Sequence, residues 1–220
     1  MAQSVNSVWR DSIEMGVVPM DLSAVTWIGK YPQSTFTRYP LRSGPVTNGV
    51  ATVYPAPSLV VGGTEAALWF GDSGDGSIVR IGAAGRISSQ IAWPIPARKL
   101  ISRDLKSALS RDLDEVLTGD DSARVRARFG VGLPLPRAPH FTRFVPSGGT
   151  SLWVESFSED ARAPKTYFVL SDAGMWIARL HAPVGANILA VDASHAVVAT
   201  TDVDGVVRVS VHKISMLATR

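Results

Sequence analysis

The chain has 220 residues, of which 45% are hydrophobic and 19% charged, and its mean hydropathy of +0.13 is sufficient for a buried core. These values exclude wholesale disorder. The formal net charge of +3, without a long run of like charges, gives no electrostatic footprint for nucleic acid or a membrane surface. Because cysteine is absent, disulfides, thiol catalysis and thiolate metal sites are excluded.

The amino-terminal sequence, residues 1–23, shows neither a basic segment followed by an apolar one nor a cleavage pattern. No stretch of the chain approaches the roughly 18 consecutive apolar residues that a membrane helix needs. We therefore expect no signal peptide and no transmembrane segment in this chain, and the composition leaves its compartment open.

A unit recurs along the chain from residue 24 onward. In it, a short apolar strand, typically with a tryptophan, is followed by a polar turn and by a second strand in which apolar and polar residues alternate. Residues 24–41 hold a faint copy, and residues 67–87, 151–180 and 195–214 hold clear ones. The copies recur about every 40 to 45 residues, which is the pitch of a propeller blade built as one small antiparallel sheet. Within the copies apolar and polar residues alternate with strand period.

The turn of the first clear copy, Gly71-Asp72-Ser73-Gly74, matches the tetrapeptide around the nucleophile of chymotrypsin-like proteases. In that chain order a histidine base precedes the serine, whereas all 4 histidines here follow it. A hairpin tip is the favoured interpretation, because Asp, Gly and Ser meet the backbone demands of a turn. Asp72 and Asp75 are weak calcium candidates, since the pattern lacks the glutamate that ends an EF-hand loop.

The tryptophans at equivalent repeat positions are Trp27, Trp69 and Trp153. Stacking platforms for sugars or bases are one interpretation of such residues. Their equivalent placement favours packing between neighbouring blades instead, and we expect all three to be core residues.

A helical insertion interrupts the repeats over residues 97–138. Within it, residues 102–119 place leucines and valine at helical spacing, from Ser102 as a candidate cap to Gly119 as a stop. Loops that decorate a rigid scaffold often carry binding residues. The candidate ligand-binding residues, in the insertion and at the neighbouring channel mouth, are Arg98, Lys99, Arg103, His140 and Arg143.

The pattern resembles a bacterial family of six-bladed β-propellers related to NHL-type and TolB-type propellers. The resemblance covers about Gly44 to Lys213 and is carried by YPAPSLVVGG, ALWFGDSGDGSIVRI, IAWPIPARKLISRDL, LPLPRAPHFTRFVPSGGTSLWVESF, YFVLSDAGMWIARLHAP and ILAVDASHAVVATTDVDGVVRVSVHKI. It implies that full-length relatives are exported or envelope-associated. A closed six-bladed ring needs on the order of 240 residues at this pitch, so the chain is expected to be the carboxy-terminal portion of such a ring.

The predicted fold is therefore all-β: a single propeller-type domain over 1–220, with antiparallel four-stranded blades, three clear and one faint, in an incomplete six-bladed ring with a helical insertion. The predicted divisions are a faint blade at 20–43, a blade at 44–96, the insertion at 97–138, a blade at 139–183 and a terminal blade at 184–214.

A non-enzymatic binding or protein-interaction scaffold is the predicted function, because no reactive group is recognisable. Its partner is expected to be a protein or a small molecule rather than nucleic acid, and open blade edges predict self-association. Two alternatives stay open. One is a calcium-dependent hydrolase or lactonase of the propeller type; the other is a truncated propeller without independent function.

Overall fold

The computed structural model describes residues 8–18, 24–40, 48–52, 58–63, 67–82, 86–99, 137–145, 147–148, 150–158, 163–171 and 173–214. All regular secondary structure in these residues is β, which confirms the all-β prediction. Within the same ranges, no helix has the length and apolarity needed to cross a membrane.

Four antiparallel sheets follow one another along the chain, and each pairs strands that are consecutive in sequence. The first sheet contains β1 (Val8–Val17), β2 (Thr26–Pro40) and β3 (Asn48–Thr52). The second contains β4 (Leu59–Gly63), β5 (Leu68–Asp72), β6 (Ser77–Ile81) and β7 (Ile87–Ala92). The third contains β8 (Phe141–Val145), β9 (Leu152–Ser156), β10 (Thr166–Leu170) and β11 (Trp176–His181), and the fourth contains β12 (Ala186–Val191), β13 (His195–Thr201) and β14 (Val207–Lys213).

The sheets differ from the predicted blades at three places. Strand β3 pairs with β2 and so belongs to the first sheet, although residues 44–52 were expected to open the next blade. Strand β1, which precedes the faint repeat, pairs along its length with β2. The fourth sheet has three described strands instead of four. The predicted helix at 102–119 lies outside the described residues.

Strict alternation along the third sheet sends successive side chains to opposite faces, because the side-chain period of a strand is two. Leu152 and Val154 join the cluster shared with the second sheet, whereas Trp153 joins the cluster shared with the fourth. On β10, Phe168 and Tyr167 divide in the same way. With apolar groups on both faces, these strands have nearly continuous apolar sequences, as expected for a sheet covered on both sides.

The contact between the second and third sheets is the most aromatic of the described structure. The ring of Trp93 lies 5.2 Å from Phe141, 4.9 Å from Phe168 and 5.2 Å from Trp176, measured between centroids. The latter two contacts are edge-to-face, the arrangement that aromatic quadrupoles favour. Residues 141, 168 and 176 come from β8, β10 and β11, so one tryptophan beside β7 contacts three of the four strands of the third sheet.

The first sheet packs on the other face of the second sheet. Tyr31 stacks on Phe70 with centroids 5.6 Å apart, and Met15 and Ile28 contact the same buried cluster. The second and third sheets are therefore covered on both faces by neighbouring sheets.

Trp27 departs from the predicted core role. Trp69 and Trp153 are buried, with 0% and 1% of their surface exposed, as expected, but Trp27 is 67% exposed. Its side chain lies on the first sheet, and no described element covers it there. The expectation for Trp27 was wrong because equivalence along the repeat does not supply a neighbouring sheet.

The first strands of the second, third and fourth sheets lie next to one another. β4 contacts β8, and β8 contacts β12. The last strands lie away from this row, and β14 is exposed along its whole length. These three sheets thus stack face to face with their opening strands on the same side of the stack, and the first sheet contacts β4 through β2.

Glycines allow the second and third sheets to approach closely. A Cβ atom placed on Gly62 would lie 2.6 Å from the Cβ of Phe144, whereas one placed on the neighbouring Gly63 would lie 3.7 Å from its nearest atom, the carbonyl oxygen of Ala67. The first distance is far inside van der Waals contact, so a side chain at 62 has to separate the sheets.

We predict that Gly62→Ala lowers the free energy of unfolding by about 1 to 3 kcal/mol, the usual cost of overpacking a closed core. Gly63→Ala, one residue along the same strand, is the control and should change it by less than about 0.5 kcal/mol. Urea denaturation followed by tryptophan fluorescence measures both values. Equal effects of the two substitutions would contradict the close approach at Gly62.

Candidate functional site

A buried carboxylate, Glu155 on β9, is the centre of a polar cluster in the third sheet. Only 6% of the residue is exposed. Its Oε2 accepts hydrogen bonds from Arg143 Nε at 2.7 Å and from the Tyr167 hydroxyl at 3.1 Å, while Oε1 accepts from Lys165 Nζ at 2.9 Å. The carboxylate therefore has three donors, as a buried charge requires.

Strand register brings these groups together. Arg143 on β8 lies opposite Glu155, and Glu155 lies opposite Tyr167 on β10. Directly opposed residues share a face and have neighbouring Cβ atoms. The three side chains consequently form a row across the sheet, on the face that packs against the fourth sheet.

The cluster also ties the third sheet to β12. Arg143 Nη2 donates to the carbonyl of Ile188 at 2.6 Å and contacts the Asn187 amide oxygen. The Tyr167 hydroxyl accepts from Ile188 N–H at 3.2 Å, so the hydroxyl acts as donor and acceptor at once. Lys165 Nζ also reaches the Asn187 oxygen, at 3.3 Å. We call these five residues, Arg143, Glu155, Lys165, Tyr167 and Asn187, the Glu155 cluster.

The charges of the cluster follow from its hydrogen bonds. Burial by itself raises the pKa of the Glu155 carboxyl, but the bonds from Lys165 and Arg143 outweigh it and hold the pKa below its ordinary value. Burial is the main cause that raises the pKa of Tyr167. At neutral pH the cluster therefore contains two cations, one carboxylate and a protonated phenol, with a net charge of about +1.

The cations of the cluster are more exposed to solvent than its anion. The side chains of Arg143 and Lys165 are each 32% exposed, against 8% for Glu155. An incoming anion would thus meet positive groups first. Among the predicted ligand-binding residues, Arg143 is the one that lies in this cluster.

His140 lies at the junction of the second and third sheets instead. Its Nδ1 is 3.0 Å from the carbonyl oxygen of Ile95, and its ring fills the space above Gly76. Its backbone N–H donates to the carbonyl of Ser73 at 2.7 Å. These contacts assign His140 to anchoring the 73–76 turn.

The remaining predicted ligand-binding residues lie near or within the insertion. Arg98 and Lys99 are exposed. A single antiparallel bridge joins Lys99 to Arg137, and Ala138 N–H donates to the carbonyl of Arg98 at 2.7 Å. Arg103 lies outside the described residues. The two ends of the predicted insertion are therefore held side by side.

The two calcium candidates have other partners. Asp72 forms a two-point ion pair with Arg10 on β1, with distances of 2.6 and 3.0 Å, and accepts from Gly74 N–H at 2.8 Å. Asp75 Oδ1 accepts from Ser77 N–H at 2.7 Å. Within the described ranges, no group of three or more His, Asp or Glu residues is arranged to hold a metal ion.

Ser73 is buried, with 0% of its surface exposed. Its hydroxyl accepts from Ser58 N–H at 2.8 Å and donates to the Ser58 carbonyl at 2.9 Å. Both capacities of the hydroxyl are used to close the loop before β4. The turn interpretation is confirmed by the turn at 73–76, where Gly76 has a φ of 76°.

We predict that Ser73→Ala lowers the free energy of unfolding by about 1 to 3 kcal/mol, because it leaves the Ser58 N–H without its partner. The exposed Ser12→Ala on β1 is the control and should change the free energy of unfolding by less than about 0.5 kcal/mol. Neither protein should react with a serine-directed fluorophosphonate. Stoichiometric labelling that disappears in Ser73→Ala would contradict the structural role.

Glu155→Gln should lower the free energy of unfolding at pH 7 by about 2 to 4 kcal/mol, since it leaves two half-buried cations without their anion. The exposed Glu14→Gln on β1 is the matched control and should change it by less than about 0.5 kcal/mol. Chemical denaturation measures both. An unchanged free energy of unfolding in Glu155→Gln would show that the cluster contributes no stability.

The same cluster predicts a pH dependence. Because the pKa of Glu155 is lower in the folded chain than in the unfolded one, its contribution is complete above the ordinary value and is lost as the pH falls through the folded value. The stability difference between wild type and Glu155→Gln should therefore shrink below about pH 4.5. A difference that stays constant from pH 7 to pH 3 would contradict this sign.

The Glu155 cluster was mostly missed from the sequence. Arg143 was predicted to bind a ligand, but its partners come from separate strands, and Asn187 lies 44 positions away. Polar residues within otherwise apolar strands, at Glu155 and Tyr167, were the available signal.

Comparison with known proteins identifies no relative of this chain. Family models, curated proteins and solved structures all give no match to the chain. Its fold and its Glu155 cluster are therefore interpreted from their own contacts.

Proposed function

We propose that the chain is a non-enzymatic binding scaffold of the β-propeller type, with its sheets acting as blades. Three features support the blade arrangement. Consecutive strands form each sheet, neighbouring sheets pack face to face, and the opening strands β4, β8 and β12 lie in a row. In a propeller, opening strands of this kind surround a central channel.

The Glu155 cluster is the proposed ligand site. The observation that carries this assignment is the imbalance between two partly exposed cations and one buried carboxylate. Arg143 belongs to β8, an opening strand, so in the propeller arrangement the cluster lies between two blades and begins at the strand beside the channel. The ligand class is an anion with carboxylate or phosphate oxygens, which Arg and Lys bind by charge-assisted hydrogen bonds.

Binding, rather than turnover, fits the chemistry of the cluster. Glu155 holds its neighbours by ion pairs, and the Tyr167 hydroxyl is engaged by Glu155 and Ile188. A general base or nucleophile needs a reactive atom directed at the substrate. The atoms that face solvent here belong to cations, whose role is to attract and position charge.

Isothermal titration with citrate and, separately, inorganic phosphate tests the ligand class. Wild type should bind at least one of them, and Lys165→Gln should weaken that binding at least about 5-fold, since one of the two cations is gone. Glu155 keeps Arg143 as a partner, so the variant should fold. Lys30→Gln, an exposed lysine on β2, is the control and should bind as wild type.

Added sodium chloride should weaken the binding as well, because solvent-exposed charges are screened. Absence of binding at 20 mM of either anion, or equal affinities of wild type and Lys165→Gln, would contradict the proposed site.

A further inference from the structure

We propose that β14 pairs with β14 of a second copy of this chain, antiparallel and about a two-fold axis through Ser210. This inference does not rest on the proposed anion site. It concerns β14, at one edge of the fourth sheet. The one cluster residue in this sheet, Asn187, lies on β12 at the opposite edge.

The first observation is an open strand edge. Among the strands that the structure describes, β14 is the last of its sheet, and all seven of its residues are exposed. Val207, Val209 and Val211 are 60%, 63% and 67% exposed. The strand contains no proline and no bulge in its pairing with β13. A long, regular edge with a row of exposed valines on one face is a template for another strand.

Hydrogen bonds at the two ends of the β13–β14 hairpin fix which residues of β14 point toward β13. The carbonyl of Val206 accepts from Asp202 N–H at 3.1 Å, and Ile214 N–H donates to Ser194 at 2.6 Å. Backbone groups of successive residues point alternately to the two sides of a strand. Even-numbered residues of β14 therefore bond to β13, and Val207, Val209, Val211 and Lys213 present their N–H and C=O groups at the open edge.

These free groups match a second copy best in one register. A two-fold axis at Ser210 places Val209 opposite Val211 of the second copy and Val207 opposite its Lys213, so every free group finds a partner. An axis at Val209 or Val211 leaves one of the four residues unpaired. Symmetric dimers require such self-complementary surfaces.

Side chains are compatible with the same register. Val209 and Val211 meet across the junction on one face, a favourable β-branched pair. On the other face Arg208 lies opposite His212 of the second copy, and Ser210 lies opposite itself. No carboxylate faces a carboxylate, and no Lys or Arg faces another Lys or Arg. The two fourth sheets would then continue as one six-stranded sheet.

Introducing a charge at Ser210 tests the axis directly, because this exposed residue would lie opposite Ser210 of the second copy. Sedimentation equilibrium should show a wild-type dimer, and Ser210→Lys and Ser210→Asp should each weaken it at least about 5-fold by like-charge opposition. An equimolar mixture of the two variants should recover dimers. Wild type that stays monomeric up to 200 µM, or variants that dimerise as wild type does, would overturn the proposal.

A disulfide gives a second test, since the chain has no cysteine. Residues opposed at a non-hydrogen-bonded position have Cα atoms about 4.5 Å apart, within the range that a disulfide spans. Ser210→Cys should therefore form covalent dimers under mild oxidation at least about 10-fold faster than Val203→Cys, a fully exposed residue of the β13–β14 turn. Equal rates would overturn the proposed axis. Lys165→Gln should dimerise as wild type does, which separates this test from the anion site.

Discussion

The structure depends on the burial of both faces of the third sheet. Leu152 and Val154 pack toward the second sheet, while Trp153 packs toward the fourth, and all three are fully buried. Removing a residue of this size from a core costs about 2 to 5 kcal/mol. A change on β9 or β10 therefore affects two interfaces at once, whereas a change on β14 affects one exposed edge.

The Glu155 cluster interrupts this apolar packing between the third and fourth sheets. The ion pairs and hydrogen bonds of Glu155 connect three strands of the third sheet and, through Arg143 and Tyr167, the first strand of the fourth. Buried ion pairs add little stability compared with apolar groups, but breaking one is costly. The cluster thus connects the two sheets, and its two cations remain partly exposed to solvent.

The sequence predicted the features that depend on residues close together in the chain. The strand alternation, the turn at Gly71-Asp72-Ser73-Gly74 and the burial of Trp69 and Trp153 follow from spacing and turn chemistry. Trp27 could not be placed, because its exposure depends on whether another sheet covers the first one. The partners of Arg143 were also hidden, since strand register and the position of β12 bring them together across 12 to 45 positions.

Amide hydrogen exchange tests the central role of the third sheet most directly. The amides of β9 and β10 should exchange most slowly, at the rate set by global unfolding, because their strands are covered on both faces and paired on both edges. The amides of Val207 and Val209 in a dilute sample should exchange fastest among the strands. Protection of β9 and β10 no greater than that of β14 would contradict a fold built around the third sheet.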